Sequence, residues 1–136
     1  MKRSLCLAAL VVLFSFGALA SEKNEQFEKW MKEVGGNTGK IKKGIEARAA
    51  EDVAKSAERL AVVFAESESF WAKHKKDDAV KWSKEAAAAA KEVAIAAKAN
   101  DLDKAKTVFG GYMKSCKGCH EAYREKVGDG DYKIKL

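Results

Sequence analysis

The chain has 136 residues and a formal net charge of +6, enough for one small domain with a modest basic excess. Proline is absent and the composition is dominated by alanine, lysine and glutamate, strong helix formers that argue against a strand-rich or proline-rich architecture. Basic residues are interleaved with acidic ones instead of gathering in one patch, so nucleic acid is not an expected partner.

The first twenty residues read apart from the rest. A basic start at Lys2 and Arg3 precedes an apolar run that closes with Ala18, Leu19 and Ala20 before the polar Ser21. That order is the pattern of a secretory signal peptide with cleavage after Ala20. The run is short for a membrane span, so no stable membrane insertion is expected after cleavage. The domain to be folded is then 21–136, exported and expected in the periplasm, and without Lys2 and Arg3 its formal charge falls to +4. Cys6 leaves with the signal.

Four helices are predicted from apolar residues at helical spacing. The first covers residues 24–45, with Phe27, Trp30, Met31, Val34, Ile41 and Ile45 on its face. The second covers 51–69, with Val53, Leu60, Val63 and Phe64; the following SFWAKHKKDD reads as a connection carrying Phe70 and Trp71 as aromatic plugs. The third covers 78–99 and is rich in alanine, whose small side chains permit close approach of a neighbouring helix or a flat cofactor. Asn100 reads as the N-cap of the fourth, with Asp103 three residues on, and this helix runs to about residue 126 before Gly128 and Gly130 loosen the tail. Short connections make the fold class all-α: an antiparallel four-helix bundle. Such a small helical domain has a thin core, which a large apolar cofactor would supplement.

The chemistry concentrates in the last helix. After signal removal only Cys116 and Cys119 remain as cysteines, two residues apart and followed at once by His120. Positions i, i+3 and i+4 share one side of a helix, so two thiols and an imidazole converge on one object. A zinc site lacks ligands, since His74 is the only other histidine, and a redox dithiol belongs in a strand–helix setting that this chain does not suggest. C-x-x-C-H is the attachment signature of c-type haem: two thioether bonds from the cysteines and an axial iron bond from His120. One covalently attached haem c with its iron is therefore expected. No constellation of acid, base and nucleophile suggests substrate turnover, so the chain does not read as an enzyme.

With this motif near the carboxyl end of an all-helical chain, followed by Tyr123 and Arg124, the sequence resembles the class II c-type cytochromes, the cytochrome c' family. The alanine-rich third helix and the Asn100–Asp101 junction agree with it. The resemblance implies a four-helix bundle whose last helix carries the haem, and a choice of distal chemistry. In one branch a methionine from the first helix is the sixth iron ligand and the protein carries single electrons between redox partner proteins. In the other the distal face is open or guarded by an apolar residue, and small gases such as nitric oxide bind. Met31 lies in a segment resembling that of the methionine-ligated branch, with Gly35 and Gly39 four and eight residues on, expected on its face and leaving room there for a flat porphyrin. The reading favours Met31 as ligand and an electron carrier; the gas-binding branch is the alternative. Met113 shares a helix with His120 and is poorly placed for the opposite face. Arg124, four residues after His120, pairs with a haem propionate or stands as an exposed base near a helix end. A homodimer is compatible with the family.

Overall fold

The computed structural model describes residues 16–136, with side chains described from residue 25 onward. Four helices follow in order: α1 (Phe16–Glu46), α2 (Ala50–Lys73), α3 (Asp77–Lys98) and α4 (Leu102–Tyr123). A short antiparallel hairpin, β1 (Arg124–Lys126) and β2 (Tyr132–Ile134), closes the chain. The expected signal segment falls largely on residues 1–15, outside the described residues, and the expected junction after Ala20 falls inside α1. Among the described residues no helix is long and apolar enough to cross a membrane.

The helices turn back on each other through three connections of three residues each. Each connection uses one left-handed residue: Arg48 (φ 57°), Lys75 (φ 55°) and Asn100 (φ 57°). In every case the next amide reaches back five residues, Ala49 to Gly44, Lys76 to Trp71 and Asp101 to Ala96, at 2.8 to 3.1 Å. This is the Schellman ending, which satisfies the last carbonyls of one helix and reverses the chain within three residues. Asn100 is thus the left-handed end of α3, not the N-cap of α4. Asp101 takes that role, accepting from the Lys104 amide at 3.0 Å, while Asp103 faces Arg48 at 3.2 Å.

Two predicted boundaries shift for physical reasons. α2 runs through Phe70 and Trp71, which are 9% and 1% exposed and belong to the core, so the connection is only residues 74–76. α4 stops at Tyr123, because Arg124 adopts extended backbone (φ −98°, ψ 119°) and pairs with Ile134 across the hairpin. Residues 24–45 lie inside one uninterrupted helix despite Gly35 and Gly36.

The core has two parts. The larger gathers Ile41 of α1, Val53, Leu60 and Phe64 of α2, the alanines and Val93 of α3, and Leu102, Ala105 and Tyr112 of α4. The smaller is aromatic: Phe27, Phe70, Trp71 and Ala79, with Trp30, Met31, Trp82, Cys119, Tyr123 and Ile134 packed against it. Alanine-faced α3 packs closely between α2 and α4, and α1 packs on α2. By contrast α1 and α4 touch only sparingly. One tie between them is the hydrogen bond shared by the Thr38 and Tyr112 hydroxyls, 3.2 Å apart.

Candidate haem-attachment site

α4 carries Cys116, Cys119 and His120 on one side of its last two turns. Both cysteines are free and half-buried. Cys116 packs against the larger core and Cys119 against the aromatic one, so the pair spans the junction of the two. Burial pushes the Cys119 thiol up to about 11 and raises Cys116 as well, which keeps both neutral near physiological pH. His120 is more open. Partial burial, and after it the charge of Arg124, holds its imidazole below the ordinary histidine range. The neutral ring is the form that can ligate iron.

Met31 is half-buried on α1 and packs against the same aromatic cluster as Cys119. The structure thus brings Met31 and the haem motif to one end of the bundle. Gly35 and Gly39 do not follow it inward. The buried stripe of α1 runs from Met31 through Val34 and Thr38 to Ile41, and both glycines are exposed. Each four-residue step advances about 40° around a helix, so the glycines drift off the stripe. A Cβ at either would meet nothing within 4 Å, so neither glycine serves the approach of a protein neighbour. Met113, 47% exposed, faces away from the core.

Arg124 departs from the expectation of a shared helical face with His120. The chain has left the helix by then, and the guanidinium lies over the Tyr132 ring, 3.5 Å from its centroid. Tyr123 packs on α2, its ring 4.8 Å from that of Trp71. Its hydroxyl also donates to Asp78 Oδ1 at 2.6 Å, and this bond first of all pushes the phenol up to about 12. The same bond is the leading cause that lowers the Asp78 carboxyl.

Three features fit haem. The two thiols and the imidazole converge from one helix side. α1 and α4, which carry Met31 and the motif, pack on each other far less than α1 packs on α2 or α4 on α3. The third feature is the indole donor of Trp71, which the sequence marked only as an aromatic plug: Trp71 is 1% exposed, and its Nε1 has no hydrogen-bond partner among the described residues. A buried donor left unpaired costs about 1–3 kcal/mol. A haem carboxylate is the kind of acceptor such a donor needs, so Trp71 joins Cys116, Cys119 and His120 as a residue that would hold the group. The sequence signal for Trp71 was its place seven residues beyond Phe64 on the buried side of α2. The hairpin had a signal too: Gly128-Asp129-Gly130-Asp131 between Arg124–Lys126 and Tyr132–Ile134 has turn composition between two short strands.

Comparison with known proteins agrees with this geometry. The family model described as Cytochrome C' matches residues 22–124. A cytochrome c' of Alcaligenes xylosoxydans xylosoxydans is 51% identical over 35 residues, 26% of this chain, and that match spans 28% of the relative's length. A solved cytochrome c', described as having an unusual ligand-controlled dimer dissociation, superposes with a TM-score of 0.65 at 23% identity, covering 84% of this chain and 95% of its own. That likeness shows the four-helix fold. With the family model spanning most of the sequence, the chain belongs to the cytochrome c' family, whose members bind haem c with its iron.

Proposed function

We propose that this is an exported, periplasmic haem protein of the cytochrome c' type, in which His120 alone ligates the iron from protein and the distal position takes small gases such as nitric oxide. The observation that carries the reading is the family match over residues 22–124, to cytochrome c' itself. It favours the alternative over methionine ligation and electron carriage, which the comparisons do not support. Haem supplies the iron to which a diatomic gas binds. Cys116 and Cys119 hold the group covalently, and His120 offers a neutral ring nitrogen. Trp71 Nε1 is available to a carboxylate of the group. Phe27, 5% exposed, and Met31 lie in the apolar cluster beside Cys119 and keep water from that end of the bundle. Met31 is here a packing residue, the usual role of a half-buried methionine at helical spacing. Removal of residues 1–20 after Ala20 belongs to the same reading. So does a homodimer, since the solved relative is described as a dimer whose dissociation is ligand-controlled.

The test is spectroscopic. Ferric wild-type protein near neutral pH is expected to be high-spin by electron paramagnetic resonance, the ferrous form to bind carbon monoxide directly, and Met31→Leu to change neither. A low-spin wild type that becomes high-spin in Met31→Leu would overturn the reading and restore the electron carrier with Met31 as ligand.

A further inference from the structure

α3 carries none of the haem-binding residues, yet it meets α4 on both sides of Cys119 and His120. Gly118, between the two cysteines, lies under the Trp82 indole. A Cβ built at Gly118 would stand 2.7 Å from Trp82 Cε2, 2.8 Å from Cζ2 and 3.1 Å from Nε1. Real Cβ atoms do not approach so closely, so the ring and the α4 backbone are in direct contact that only glycine permits at this separation. One turn earlier on α3, Asp78 accepts the Tyr123 hydroxyl bond at 2.6 Å. The two contacts are in antiparallel register, Trp82 on Gly118 and Asp78 on Tyr123, and they bracket Cys119 and His120. Trp82 and Tyr123 are themselves ring neighbours, with centroids 6.5 Å apart. One contact fixes how near α4 comes to α3. The other, directional, fixes its rotation and height along the bundle.

We propose that Trp82 and Asp78 are positioning residues for haem attachment: by docking on Gly118 and Tyr123 they set the placement of the turn bearing Cys119 and His120. The role concerns the attachment side only and holds whether the distal position is open or filled by Met31. It accounts for a glycine inside α4, where glycine weakens the helix by roughly 0.5–1 kcal/mol relative to alanine. Gly118→Ala would strengthen an isolated α4, so a loss that Trp82→Leu relieves comes from the contact with Trp82 and not from helix propensity.

The experiment expresses the full chain in a host with working cytochrome maturation. It reads the fraction of polypeptide with haem bonded to both cysteines by mass spectrometry, and the iron–histidine stretch of the ferrous protein by resonance Raman. Gly118→Ala is expected to lower the doubly attached fraction and shift the iron–histidine frequency. Gly118→Ala combined with Trp82→Leu, which removes the ring atoms in the way, is expected to attach more haem than Gly118→Ala but to keep a shifted iron–histidine frequency, as is Trp82→Leu alone, because the docking contact is gone. Tyr123→Phe is expected to shift the same frequency with haem fully attached. If Gly118→Ala yields no haem protein at all, recovery in the double variant still supports the role. Wild-type attachment and frequency in Gly118→Ala, or a double variant no better than Gly118→Ala alone, would overturn it.

Discussion

Tyr112 links the sparse α1–α4 contact to a measurable pH dependence. The side chain is 1% exposed and sits one turn before Cys116. Its ring stacks on Phe109 (5.6 Å, 18°) and meets Phe64 edge-on (5.8 Å, 71°), while its hydroxyl shares the 3.2 Å bond with Thr38. Tyr112→Phe keeps both ring contacts and removes only that bond, so at neutral pH it should cost about 0.5–1.5 kcal/mol. The alkaline range behaves differently. Burial pushes the Tyr112 phenol up to about 12, with the Thr38 bond working the other way. The folded protein then keeps a proton that the unfolded chain loses near pH 10, so this stabilisation is fully present below about pH 10 and drains away as pH rises towards 12. At about 1.4 kcal/mol per pH unit, the loss approaches roughly 3 kcal/mol. Phenylalanine has no such proton, so the variant should begin less stable and lose less, and the two curves should converge or cross. Urea unfolding of the haem-loaded protein, followed by circular dichroism from neutral to strongly alkaline pH, measures both. Tyr123, also raised, titrates in both proteins and cancels in the difference. Parallel curves throughout the alkaline range would refute the argument, as would a neutral-pH cost well above 2 kcal/mol.

Two further outcomes follow from the same packing. The Cys116→Ala, Cys119→Ala double variant, unable to attach haem covalently and prepared free of it, should keep its far-ultraviolet helix signal but lose near-ultraviolet fine structure, because α1 and α4 meet so little and α3 offers mainly alanine to the core; a cooperative, native-like apo spectrum would contradict this. Tyr132→Ala should release Arg124 and fray the hairpin, a contact worth about 0.5–1 kcal/mol at an exposed site. The readout is faster hydrogen exchange at the Val127 and Lys135 amides, which donate to the Asp131 and Tyr123 carbonyls, and unchanged exchange there would count against the contact.

The sequence by itself determined whatever depends on helical periodicity. Cys116, Cys119 and His120 converge because positions i, i+3 and i+4 share a side in any α-helix, so the haem motif was legible without knowing what α4 packs against. The inner stripes, Val53, Leu60 and Phe64 of α2 for example, were legible for the same reason. Only the tertiary structure decided matters that lie between elements. Phe70 and Trp71 looked like plugs in a charged connection, but their burial beneath Phe27 and Tyr123 extends α2 by a turn. Arg124 looked like a partner on the His120 face until a hairpin drew it over Tyr132. Nothing in the sequence singled out Gly118, whose contact with Trp82 appears only when α3 is docked. The physical reason is common to all three. Spacing along a helix fixes which residues share a face, whereas the object each face meets is set by long-range packing, in which residues far apart in the chain compete for the same volume.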